Sequence, residues 1–228
     1  MITHRKIAIA VGFLFIIATL APILSAIPLN IVPLASFESE TNPDYLATIS
    51  TNQSQVLIGV TLLTIMTVAI VSIPILMYPI LKKYKETLAL GYVGSRIFEG
   101  FFSAINILGF LSLLSLSREF TNTQAPITSY FQTQGALLIA GIDWGSILLD
   151  LPFTIGAIVF YYILLKAKLI PQWLSAFGLI GGSLWFATVP FRMFGVFPST
   201  LEILALPIAA QEMILAVWLI IKGFNLGD

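Results

Sequence analysis

The chain has no cysteine and a single histidine, His4. The first absence excludes disulfides, thiolate metal sites and cysteine nucleophiles. The second excludes the histidine-rich metal centres of di-iron membrane oxidases and zinc proteases, and no metal site is expected. Charge is scarce as well: Asp, Glu, Lys and Arg make up 10% of the chain, against about 25% in a soluble domain. Formal net charge is zero, and no basic run is long enough for nucleic acid, so that partner class is excluded. The chain also lacks a glycine-rich phosphate loop, a Gly-x-Ser-x-Gly elbow and an aspartate-rich prenyl-diphosphate motif. No cofactor is implied.

What is present is apolar. Hydrophobic residues are 58% of the 228, and the mean hydropathy is +0.98. One globular core cannot bury such an excess, so the solvent of most side chains is lipid. A spanning helix needs roughly 20 mostly apolar residues. Six stretches qualify: 7–29, 56–81, 88–116, 135–165, 173–189 and 201–221. The expected fold is all-α, a polytopic membrane protein with one six-helix transmembrane domain over 1–228. The lipid bilayer is its first partner, and a homo-oligomer is compatible with so small a bundle.

Lysine and arginine set the orientation. Arg5, Lys6, Lys82, Lys83, Lys85, Lys166, Lys168 and Lys222 fall on one side of a six-span chain. Arg118 and Arg192 fall on the other, with Glu38, Glu40, Asp44, Glu119 and Glu202, while Arg96 lies inside the membrane. Both termini are therefore expected in the cytoplasm, with the chain in the cell (plasma) membrane. The first span has the basic start of a signal peptide, but the run is long and Leu24 is a poor cleavage residue, so it reads as a retained helix. The longest outer loop, about 30–55, is polar and acidic and contains the sequon-like Asn52-Gln53-Ser54; a second polar outer loop covers about 117–134. "YPILKKYK" at 78–85 matches "YYILLKAK" at 161–168 at one constant offset. Interfacial tyrosine followed by lysine at any helix exit accounts for that better than a true repeat.

A charge at mid-bilayer costs about 2.5–3.5 kcal/mol on insertion scales, so each one needs an interior site and a partner. Arg96, Glu99, Ser103 and Asn106 follow 3, 4, 3 spacing and share one face of the third helix. Arg96 lies roughly 13 Å past the basic end at 1.5 Å per residue. One reading is a self-satisfied i, i+3 ion pair with Glu99. One carboxylate cannot occupy five guanidinium donors, however, so a further partner is expected. Asp143, Ser146 and Asp150 share a face of the fourth helix, Asp143 shallow and beside Trp144, Asp150 near mid-depth before Pro152. Asp143 is the weaker candidate, since an interfacial aspartate is ordinary. Gln211 and Glu212 sit near the middle of the sixth helix, and Glu212 is the natural second partner for Arg96. Arg96 then faces Glu99, Asp150 and Glu212, three carboxylates that cannot all be ionised cheaply, and one shared proton is expected.

"ALGYVGSRIFEG" (89–100), "LIPQWLSAFGLIGG" (169–182) and "QEMILAVWLIIKGF" (211–224) resemble a bacterial integral-membrane family, domain-of-unknown-function family 4386. The shared pattern falls on Gly91/Tyr92/Arg96/Glu99, on Pro171/Trp173/Leu174 and on Glu212/Leu215/Trp218/Leu219/Lys222/Gly223/Phe224. The resemblance implies a six-helix membrane protein and no particular activity. It strengthens Arg96, Glu99 and Glu212 as a site.

Three functions remain open from the residues. A carrier or ligand-binding protein would use a protonatable carboxylate opposite a buried arginine, with a small molecule, a lipid or a proton as ligand. A non-catalytic partner or sensor protein would keep the same charges as folding devices. A membrane-embedded enzyme acting on a lipid or isoprenoid would use the carboxyls as acid and base.

Overall fold

The computed structural model describes residues 4–30, 32, 44–122, 128–196 and 198–225. Glu38 and Glu40 of the acidic outer loop lie outside these. Among the described residues the chain is helical throughout, without strands. Helix α1 spans His4–Leu29, and a short α2 spans Tyr45–Thr51. Helix α3 runs from Gln53 to Asn122, α4 from Thr128 to Ala167 and α5 from Gln172 to Met193. A 3-10 turn, Ser199–Ala205, leads into α6, Leu206–Ile221. Five helical stretches are long and apolar enough to cross a membrane, α3 being the longest with 70 residues.

Helix α3 is not one rod. Lys85 has φ −159° and ψ 99°, an extended conformation that breaks the helical ladder. The two arms, 53–84 and 86–122, then lie antiparallel. Arg118 Nε donates to Gln53 at 2.9 Å at one end, the Thr67 and Ser103 hydroxyls meet at 2.6 Å midway, and the Tyr78 hydroxyl donates to Glu86 at 3.1 Å beside the turn. Three lysines around the break, Lys82, Lys83 and Lys85, favour a solvated turn over a buried continuation. The matching position after α4, Lys168, turns the chain with φ +54°, and Pro171 opens α5. The aligned pair Lys85 and Lys168 are thus both turn residues, which is why the stretches look alike.

Two apolar cores hold the bundle. One gathers Ile80, Leu81, Ala89, Leu164, Leu169, Leu174 and Leu219 toward the basic end. There α1 and α6 are tied directly: Arg5 Nη2 donates to the carbonyls of Ile220 (2.6 Å) and Ile221 (3.1 Å), and Nη1 to Leu219 (3.3 Å). A cation on the last carbonyls satisfies orphan acceptors and opposes the helix dipole. Gly223 allows this approach, with φ +79° and Arg5 Nη1 within 3.1 Å of where a Cβ would sit. The second core lies at the opposite end, where α2 packs Tyr45, Leu46 and Ile49 against Val56, Leu113, Leu114 and Ile139. The expected polar loop at 117–134 is in good part helix, since Ser117–Asn122 continues α3 and Thr128–Gln134 opens α4. Tyr45 explains this: its hydroxyl donates to the Gln132 carbonyl at 3.3 Å, and its ring needs the first turns of α4 as a wall.

Candidate functional site

The middle of the bundle is less filled than its ends. On the second arm of α3, Tyr92, Arg96, Glu99, Ser103, Asn106 and Phe110 are all buried, while Ile97, Phe98, Phe101 and Leu108 face outward. The polar residues therefore occupy the inner stripe of an otherwise apolar helix. Arg96 is 2% exposed and Glu99 4%. Arg96 Nη1 donates to Glu99 Oε2 at 2.8 Å, and Nη2 lies 3.7 Å from Glu212 Oε1 on α6. The guanidinium is flanked by the rings of Tyr92 (5.6 Å to the centroid) and Phe153 (5.1 Å), and Tyr92 stacks in turn on Phe160 at 4.7 Å. Such flanking stabilises a desolvated cation and fixes the plane of its fork. Glu212 also accepts from the Thr19 hydroxyl of α1 at 3.2 Å. One buried cluster thus joins α1, α3, α4 and α6.

Asp150 departs from the expectation. It forms an ion pair with Arg192, at the end of α5, and not with Arg96. The sequence places Arg192 in an outer loop, three residues past an apolar run that ends at Val189. The helix continues to Met193, and Arg192 lies seven residues after Trp185, on the same face. Its guanidinium sits 5.2 Å from the Trp185 ring centroid and reaches Asp150 one helix away.

Two other candidates also fall elsewhere. Gln211 is fully buried, but its amide nitrogen donates to the Leu174 carbonyl at 3.1 Å, which ties α6 to the start of α5. Asp143 is exposed, while Ile142 and Gly145 of the same turn are buried against α3, so the aspartate lies on the uncovered side of α4. Ser103 meets the Thr67 hydroxyl across the α3 hairpin, and Asn106 Nδ2 donates to Ser146 Oγ of α4 at 3.1 Å. Asn106 Oδ1 and Arg96 Nε are buried without a hydrogen-bond partner. Gly145 lets the Asn106 side chain lie against α4, since a Cβ there would stand 2.0 Å from Oδ1.

These groups border two chambers. The inner one, about 330 Å³, is lined by Thr19, Arg96, Glu99, Asp150, Trp185 and Glu212 among apolar neighbours. The outer one, about 510 Å³, is lined by Ser25, Asn30, Ser103, Asn106, Ser146 and Asp150 with apolar residues between. Pro22, Met66, Leu149 and Asp150 belong to both, so the chambers abut. The outer one reaches Asn30 and Val32, past the end of α1. Both volumes lie within the range of small-molecule sites. Thr19, Phe153, Trp185 and Arg192 were not singled out from the sequence. Thr19 could have been, because it follows Phe15 by four residues on the inner face of α1. Among the described residues, no three metal-ligating side chains gather.

The family model for Domain of unknown function (DUF4386) matches residues 10–223. The chain belongs to this family. No curated protein and no solved structure matches it. The structure gives physical roles to residues inside the matched range. Tyr92, Arg96, Glu99 and Glu212 form the buried cluster, Pro171 and Leu174 build the start of α5, and Lys222 and Gly223 close α6.

Proposed function

We propose that this DUF4386 protein is a multi-pass protein of the cell membrane, with six spans and both termini in the cytoplasm, that binds or carries a small ligand together with a proton. The break at Lys85 and the antiparallel arms support dividing the longest apolar stretch into two spans. The basic turns and the Arg5-bearing terminus at one end support the sidedness.

The observation that carries the reading is the charge content of the chambers. Glu99, Asp150 and Glu212 line the inner chamber with Arg96, and Arg192 pairs with Asp150 from outside the lining, three carboxylates against two guanidiniums. A buried carboxylate without a counter-charge is costly. The third one must hold a proton or meet a cation, and either is a basis for coupling. A purely structural network also accounts for the Arg96–Glu99 pair, but it needs no adjoining space. Open chambers on the far side favour binding.

The absence of cysteine makes the test direct. Ser146→Cys and Met66→Cys each place one thiol on a chamber wall. Both are expected to react with a membrane-impermeant methanethiosulfonate applied from outside. A chain that inserts and folds but leaves both thiols unreactive overturns the reading. Mass spectrometry of species co-purifying with the wild type, and lost from Glu212→Gln, then identifies the ligand.

A further inference from the structure

We infer that the paired chambers are a binding site for a protonated amine that carries an apolar body, an inference that rests on the ligand-binding reading above. The first argument is against an anion. Arg96, which lines the inner chamber, is already turned to Glu99 and Glu212, and Arg192, which stands outside both linings, is turned to the chamber residue Asp150. Aromatic rings stand beside them, Tyr92 and Phe153 at Arg96 and Trp185 at Arg192. An anionic ligand would have to displace a carboxylate from a guanidinium and leave that carboxylate buried without a partner.

The second argument is for a cation. With three carboxylates and two guanidiniums, 3 − 2 leaves one negative charge. Glu212 is the least committed of the three, held by a hydroxyl at 3.2 Å and by Arg96 at 3.7 Å, which is longer than a hydrogen bond. The third argument concerns hydrogen bonding. Asn106 lines the outer chamber together with Ser103 and Ser146, whose hydroxyl oxygens can accept, while its own carbonyl oxygen is packed against Gly145 of α4. Asp150 lines the same chamber, one helical turn beyond the Ser146 that Asn106 binds. A primary ammonium has N–H groups to offer acceptors of this kind, and a quaternary one does not. Leu29, Val32, Leu63, Met66 and Phe110 supply the wall for an apolar body. The described charges toward that end of the bundle, Asp44, Glu119, Asp143, Asp150 and Glu202 against Arg118 and Arg192, favour the approach of cations.

The test uses the full chain in vesicles, with Met66→Cys as reporter and Ser146→Cys as a second reporter should the first fail to fold. Each is labelled with three methanethiosulfonates that differ in their charged end: ethylammonium, ethyltrimethylammonium and ethylsulfonate. Rates are divided by those of a free thiol in solution. The ammonium reagent is expected to lead the sulfonate by about tenfold or more, as a cleft of one sign of charge produces, with the trimethyl reagent between them. Glu212→Gln on the reporter background should cut that lead severalfold, and 4-phenylbutylammonium should slow labelling where 4-phenylbutanoate does not. Equal rates for all three reagents, or a faster sulfonate, overturn the amine assignment and leave the chamber reading standing. Failure of every reagent to react at either thiol overturns both.

Discussion

The basic end and the middle of the bundle handle burial in opposite ways. Toward the basic end, side chains of α1, α3, α4, α5 and α6 interlock with almost no exposure, and Arg5 closes the last carbonyls of α6. Between that packed end and the core at the acidic end, the same helices leave space and line it with hydroxyls, an amide and charges. Arg96 and Glu212 lie where the packed and open regions meet. Close packing at both ends holds the helices in register, so that room in the middle can persist without collapse. A uniformly packed bundle of this composition would give its charges neither a site nor a reason to be there.

The sharpest way to break this contrast is at the junction. Arg96→Leu leaves Glu99 and Glu212 buried without their cation, and a loss of about 3–5 kcal/mol is expected, read as a fall in the unfolding temperature in detergent. Adding Glu99→Gln to that variant should restore part of the loss. A single variant as stable as the wild type would show the cluster to be hydrated and loosely held.

Within the packed end, Gly12→Ala should cost about 1–3 kcal/mol, the usual range for overpacking. Its Cβ would stand 2.7 Å from the Ala216 carbonyl oxygen, a backbone atom that can give way only if α1 and α6 part. Thermal unfolding in the same detergent checks it. Arg5→Ala is expected to lose less, about 1 kcal/mol or below, because the side chain is exposed and its work is capping. Hydrogen exchange at Leu219 to Gly223 should rise while the chamber region is unchanged. At the bottom of the scale, Gly91→Ala should shift stability by only about 0.5 kcal/mol or less, since nothing lies within 4 Å of the added methyl. A large loss there would point to a partner helix on that face.

Much of the site's chemistry was legible in the residues, and little of its pairing. The 3, 4, 3 stripe of Arg96, Glu99, Ser103 and Asn106 marked one face, and that face is buried. Glu212 was expected near Arg96 from its depth alone, and it lies 3.7 Å away. Asp150 was expected there too and belongs to Arg192. Depth locates a residue along the helix axis but says nothing of its azimuth, and α4, which carries Asp150, packs against both α3 and α5. Gln211 failed for the same reason: one residue from Glu212, it points about 100° around α6, toward Leu174.

By itself the sequence determined the solvent, the helical class and where polar groups had to be interior. Those follow from composition and from the cost of placing charge in hydrocarbon, which act on each segment alone. Only the tertiary structure decided which charges meet, that α3 turns back on itself at Lys85, and that chambers remain between helices. Those outcomes depend on how the faces of several helices fit together. A glycine against a ring, as Gly178 lies against Tyr161, brings two helices close, and a proline such as Pro22 loosens another. The space left over is a property of the assembly, which no single segment encodes.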